Sequence, residues 1–220
     1  MIVHTPFCVG PTATTILANA AGCGESFAAV SAIALDDVFD PALLQNIVRQ
    51  AADARFTDND VADIGLREVE TPQRLGKMIS LLLSRPVLLR WLEEATGIAP
   101  IGAVAGQLVQ TRCNGRDALD WHDDLAEQQR QLGVVINLST CPFEGGDFEL
   151  RPKAAGSPML QFKHSRPGTM LVFAVRPDIE HRVTPLTSGG PRRVYSGWFL
   201  ESPEHAENFI IKRNFTAESG

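Results

Sequence analysis

The sequence predicts an α+β fold, with helices early and strands late. Three observations lead there. Between Asp40 and Gly97, apolar residues recur at helical spacing between Asp-Pro, Thr-Pro and Gly boundaries. From about Ile101 the chain turns into short runs of Val, Leu, Phe and Thr bounded by Gly, Pro and Asn. The 220 residues, 44% hydrophobic, suffice for one ordinary core. Helices and strands segregated along a chain are the α+β pattern.

In chain order, residues up to about Val38 are rich in small side chains and short β-like runs. A helix is expected from Pro41, with Asp40 as N-cap and Leu43, Leu44, Ile47 and Val48 on one face. A second is expected from Thr71 as cap and Pro72 at its start, and a third from Pro86 to about Gly97. Met78, Leu81, Leu82, Leu88 and Trp91 read as core, and the helices as a layer packed on a sheet. Strands are expected at 103–112, 131–139, 147–152, 169–174, 181–186 and 192–200. Six such strands suit a jelly roll, although composition alone leaves other β architectures open. The whole chain, 1–220, reads as a single domain: strands and helices over 1–100, a β core over 101–201 and a tail over 202–220.

The net charge of −6 argues against a long phosphate-binding face, so no nucleic-acid partner is expected. Cys8, Cys23, Cys113 and Cys141 form no CxxC pair, and a chain this large does not need disulfides. No apolar run approaches the ~20 residues of a membrane span. The N-terminus lacks the basic start and unbroken apolar run of a secretory signal. A cytoplasmic protein with reduced thiols is the expectation.

Chemistry concentrates in Trp121-His122-Asp123-Asp124 and, much later, Glu180-His181-Arg182-Val183. On an extended segment, side chains two apart share a face, so His122 and Asp124 reach one metal while Asp123 points away. A histidine from a distant strand completes a two-histidine, one-carboxylate set with open coordination positions. By itself H-x-D is a weak signal, common in surface turns.

Its surroundings are more specific. Residues 118–124 (ALDWHDD), 133–152 (GVVINLSTCPFEGGDFELRP), 166–174 (RPGTMLVFA) and 181–201 (HRVTPLTSGGPRRVYSGWFLE) stand in one order. In that order they resemble the prolyl-4-hydroxylase-like branch of the 2-oxoglutarate/Fe(II) dioxygenases, over roughly the C-terminal half. The resemblance implies a double-stranded β-helix (jelly roll) core with the N-terminal helical layer on its major sheet. It implies Fe(II) on His122, Asp124 and His181, with 2-oxoglutarate as cosubstrate, dioxygen as oxidant and ascorbate as a further candidate. It also implies a hydroxylase that releases succinate and CO2. The substrate would be a prolyl or amino-acid unit, a peptide or another small molecule.

The family's basic residue usually stands six positions before the Trp, which selects Arg192 over Arg193 to hold the distal carboxylate of 2-oxoglutarate; Arg193 reads as a solvated charge. Where the family often has a tyrosine that contacts the cosubstrate, this chain has Cys113, read as a small buried hydrophobe. Thr111, Asn137 and Ser196 are the candidates to replace that contact. Trp121 and Trp198 are candidates to wall the site, His164 is expected in an exposed turn, and Gly145-Gly146-Asp147 as a hairpin. Two other functional classes fit a His/Asp/His set: a metal- or 2-oxoglutarate-binding sensor without turnover, and a zinc hydrolase. The hydrolase lacks an evident general base and leaves Arg192 unexplained.

Overall fold

The computed structural model describes residues 2–61, 64–125, 129–164 and 166–204. The expected tail lies outside them from residue 205 onward. Strands β1 (Ile2–His4), β2 (Phe7–Val9) and β3 (Thr14–Ile16) lead to α1 (Ala21–Val30), β4 (Ala32–Asp36) and α2 (Pro41–Asp53). Strands β5 (Phe56–Val61) and β6 (Gly65–Glu70) follow, then α3 (Leu75–Leu83) and α4 (Pro86–Thr96). Next come β7 (Ala103–Thr111), β8 (Ala118–His122), β9 (Arg130–Asn137), β10 (Phe143–Gly145) and β11 (Phe148–Pro152). The described chain ends through β12 (Leu160–Phe162), β13 (Met170–Ala174), β14 (Ile179–Val183), β15 (Leu186–Gly189) and β16 (Arg192–Leu200).

The expected α+β class and jelly-roll core are present. A 12-stranded sheet runs β1-β4-β13-β9-β16-β7-β6-β8-β14-β11-β12, with β5 added on β6. Its strand pairs are antiparallel except β1 on β4. It curls so that the β8-β14-β11-β12 end faces the interior of the longer end, with β6 joining the two. Separate ribbons pair β10 with β15 and β2 with β3.

The helical layer covers the outside of the major sheet. Helix α3 packs on β7, and the Tyr195 hydroxyl, on the outward face of β16, meets Ser80 Oγ of α3 at 2.8 Å. Helix α1 packs on β4 and α4. Asp40 caps α2 as expected, its Oδ1 accepting from the backbone of Ala42 and Leu43 at 3.0 and 3.1 Å. Gly97 closes α4 in the left-handed region, where glycine carries no Cβ penalty.

The structure differs from expectation in four places. Thr71 does not cap α3; the helix starts at Leu75, and the buried Glu70 carboxylate accepts from Leu75 N and Gly76 N at 2.9 and 3.0 Å. Leu81 is exposed, on the face of α3 away from the sheet. Gly145-Gly146-Asp147 is not a hairpin: β10 and β11 flank it but pair with β15 and β14, so the segment carries the chain from the ribbon into the main sheet. Helix α1 and the β5–β6 hairpin were not foreseen. All four cysteines are free, and no helix among the described residues is long and apolar enough to cross a membrane.

Candidate metal centre

His122 ends β8 and lies directly across the ladder from His181 on β14. Their rings are 4.1 Å apart between centroids. Asp124 joins them for a reason that strand alternation does not supply. Strand β8 stops at His122, and Asp124 adopts φ +61°, a left-handed conformation rare outside glycine. That turn, not pleating, brings the carboxylate back. Asp124 Oδ1 lies 3.7 Å from His122 Nε2, and Oδ2 lies 3.4 Å from His181 Nε2. One donor atom from each of the three residues falls within 4.8 Å of the others. Asp123 does turn away, to Lys153 and the backbone N–H of Leu125, although it still edges the cavity mouth.

Each member of this set is held from behind. His122 Nδ1 contacts the Asp120 carbonyl at 2.6 Å; donating there leaves the Nε2 lone pair for the site. The His181 ring packs against Phe148 and Phe173, at 5.3 and 4.7 Å between centroids, and those two rings also touch each other. Phe173 fits only because residue 133 is glycine: a Cβ there would lie 2.0 Å from the ring. Trp198 Nε1 donates to Asp124 Oδ2 at 2.8 Å. Arg130 stacks its guanidinium 3.7 Å over the Trp198 ring and donates to the Asp124 carbonyl at 3.1 Å.

The electrostatics suit a cation. Burial raises the Asp124 carboxyl, but His181, His122, Arg130 and the Trp198 N–H together leave it below the usual range, so it is ionised. Burial pushes His181 down to about 4 against the opposing pull of Asp124, so its imidazole is neutral at pH 7 with a lone pair to give.

A cavity of about 270 Å³ opens onto the three side chains. Val61 and Ile64 from the β5–β6 hairpin, Phe148, Phe173 and Trp198 wall it. A second chamber of about 30 Å³ adjoins it, bounded by Thr111, Val194 and Arg192. Arg67, Leu119, Val135, Val183 and Ser196 border both. At the far end the Arg192 guanidinium is 2% exposed, and its Nε and Nη2 have no hydrogen-bond partner. Burial lowers it to about 10, with Asp147 acting in the other direction, so it keeps its charge. Thr111, directly across the ladder from Arg192, also has a buried hydroxyl without a partner.

The other sequence candidates fall out unevenly. Ser196 lines both chambers. Asn137 is buried but borders neither, and its side-chain oxygen accepts from Ser139 N and Oγ. Trp198 walls the site; Trp121 lies outside it, 3.8 Å beneath the Arg151 guanidinium. Arg193 is half-buried and donates to Gln110 at 2.8 Å instead of standing in solvent. Cys113 is exposed, its thiol 3.5 Å from the Leu186 carbonyl, and is not a buried hydrophobe. His164 is 3% exposed, the reverse of the expected exposed turn. Arg67 and Arg130 escaped sequence reasoning; neither stands in a motif, and their places at the site appear only when distant strands meet.

The fit to the implied groups is good. Three donors of two chemical types converge with an open cavity beside them, and an unpaired buried guanidinium lines the smaller chamber that adjoins it. Residues 107–200 match the family model described as the 2OG-Fe(II) oxygenase superfamily. No curated protein matches the chain by sequence. Among solved structures, the chain is similar to an oxidoreductase of the 2OG-Fe(II) oxygenase family from Burkholderia pseudomallei. The TM-score is 0.65 at 19% identity, covering 84% of this chain and 92% of that one. It is also similar to a prolyl hydroxylase from Trichoplax adhaerens, solved in complex with a hypoxia inducible factor oxygen degradation domain peptide fragment. There the TM-score is 0.62 at 14% identity, over 80% and 86%. A Pseudomonas putida prolyl-4-hydroxylase gives 0.57 at 14%, over 82% and 98%. The site lies inside the segment that matches the 2OG-Fe(II) oxygenase superfamily model, and the chain shares its fold with solved 2OG-Fe(II) oxygenases and prolyl-4-hydroxylases.

Proposed function

We propose that residues 1–220 act as one Fe(II)- and 2-oxoglutarate-dependent dioxygenase that hydroxylates a prolyl or other amino-acid unit, a peptide or a small molecule. The observation that carries this reading is the pair of adjoining chambers between the His122–Asp124–His181 set and the unpaired Arg192. In it, His122, Asp124 and His181 hold iron. Iron bound there supplies the redox chemistry with dioxygen that couples loss of CO2 from 2-oxoglutarate, leaving succinate, to oxidation of the substrate.

The chain's own residues do the rest. Arg192 presents a planar, two-pronged donor set to the distal carboxylate of the cosubstrate, with Thr111 and Ser196 beside it. Trp198 holds Asp124 Oδ2 and Arg130 holds the Asp124 main-chain carbonyl, and together they fix how the carboxylate is turned. Phe148, Phe173, Val134 and Val135 make the surrounding walls apolar and limit water. A cavity of about 270 Å³ is small beside ordinary ligand pockets of ~300–1,000 Å³. It suits one side chain or an amino-acid-sized molecule, with any longer peptide remaining outside.

The test is succinate formation by purified protein given Fe(II) and 2-oxoglutarate, with and without ascorbate, while candidate substrates are screened by mass spectrometry for gain of one oxygen atom. Succinate formation that depends on added substrate supports the reading. Iron and 2-oxoglutarate binding without turnover on any substrate favours a sensor instead.

A further inference from the structure

The loop between β12 and β13 buries a histidine that the proposed mechanism has not used. His164 is 3% exposed, and neither ring nitrogen has a hydrogen-bond partner; the Thr169 backbone approaches without closing one. Such a group is costly to bury unpaired. Two neighbours of the same kind lie close by. Residue 146 is glycine where a Cβ would stand 2.8 Å from Arg192 Cδ, so the chain passes against the Arg192 side chain there. The next residue, Asp147, has a buried Oδ1 without a partner. Phe148 follows, paired across the ladder with Phe162, and the Phe162 ring meets the His164 ring edge-on at 4.8 Å. Arg192 in turn helps hold the imidazole neutral, after burial itself. Four residues brought together from separate strands and loops thus carry six unpartnered buried atoms, two on Arg192, two on His164, and one each on Thr111 and Asp147; of these residues Arg192 and Thr111 border the smaller chamber.

Arg192 and Thr111 offer donors, and an anionic group satisfies them. We propose that His164 is a second anchor for the distal carboxylate of the cosubstrate, donating a ring N–H beside the Arg192 guanidinium. This rests on the 2-oxoglutarate reading above. Because neither ring nitrogen is committed elsewhere, the tautomer with its proton toward the carboxylate is open. A neutral donor adds a hydrogen bond without a second buried cation beside Arg192.

The experiment titrates iron(II)-loaded protein, without oxygen, with 2-oxoglutarate and separately with pyruvate, which has the same keto-acid head and no distal carboxylate. Parent, His164→Phe, His164→Gln and Arg192→Ala are compared, and each metal-free protein is melted. His164→Phe is expected to weaken 2-oxoglutarate by about tenfold, the loss of one hydrogen bond to a charged group. Pyruvate binding should stay unchanged. His164→Gln, which keeps an N–H donor, should recover part of the loss. The melting temperature of His164→Phe should hold or rise, because an unpaired polar group leaves the interior. Equal weakening of both ligands, with a lower melting temperature, would make His164 a packing residue and overturn the proposal. So would unchanged 2-oxoglutarate binding in His164→Phe while Arg192→Ala loses it. If Arg192→Ala also binds normally, the cosubstrate reading itself falls.

Discussion

The two ends of the cavity are built on opposite principles. At the metal end the supporting groups are already engaged within the protein: His122 Nδ1 on the Asp120 carbonyl, Asp124 Oδ2 on Trp198, the Asp124 carbonyl on Arg130. At the anchor end, buried donors on Arg192 and Thr111 have nothing to bind. Burying unpaired polar groups is unfavourable, so the contrast is informative. On the proposed reading, the His122–Asp124–His181 end is preorganised to place three donors around a small ion, and the Arg192 end is left incomplete for a ligand of the right charge. Stability is conceded at one end of the site and geometry secured at the other.

The largest effect that can break this comparison is at the metal end. Asp124→Ala is expected to cut Fe(II) affinity by more than about a hundredfold, beyond the ~10–100-fold typical of losing a group that supports a ligand. Equilibrium metal titration under anaerobic conditions decides it, and unchanged affinity would remove Asp124 from the set. Arg192→Ala tests the other end. It should raise the apparent KM for 2-oxoglutarate by about tenfold to several hundredfold and leave iron affinity without cosubstrate nearly intact. A drop in both would mean that the two ends are not separable.

Trp198→Phe sharpens the claim of preorganisation. It removes one N–H from Asp124 and keeps the ring beneath Arg130. Iron affinity should fall by roughly tenfold or somewhat more, with 2-oxoglutarate dependence little changed at saturating iron; no change in iron binding would make the clamp decorative. Acid should act on both ends of the metal-free protein. Burial depresses His164, and burial likewise takes His181 to about 4, against an unfolded value near 6.5. The unfolded chain therefore binds more protons below about pH 6.5. Stability is full above that value and falls toward pH 4, with a slope approaching about 1.4 kcal/mol per pH unit for each histidine. Chemical denaturation at pH 7 and pH 5 measures it. Arg193→Ala is the smallest change expected, within a few fold on KM for 2-oxoglutarate, since its side chain faces Gln110 on the other side of β16.

What was legible in the sequence follows the same division. The metal residues and Arg192 sit in ordered motifs on strands with plain β texture, and the structure brings them to one cavity. Helices α2 and α4 announced themselves through Asp40-Pro41, Pro86 and Gly97, whose local chemistry suffices. The β5–β6 hairpin did not: FTDNDV alternates poorly because most of it faces solvent on an edge strand. Helix α1 hides behind two glycines and weak amphipathicity. Glu70 caps α3 from five residues away, beyond the reach of the N-cap rule that pointed to Thr71. The left-handed turn at Asp124 gave the expected convergence for a different reason than alternation. His164 was misread because polar residues near a short strand usually face water, and nothing in FKHSRPG itself signals its burial.

The placement of β4 and β6 bears on how the chain acquires its shape as it is made. Strand β4 bonds to β13, more than a hundred residues later, and β6 fills the gap between β7 and β8. While the first hundred residues emerge from a ribosome, neither strand has its later partners, and β4 has only the three-residue β1 beside it. Closing such distant pairs is slow. The nascent chain therefore exposes apolar edges until β13 arrives, a period in which a chaperone, not the final fold, is the natural guardian of solubility.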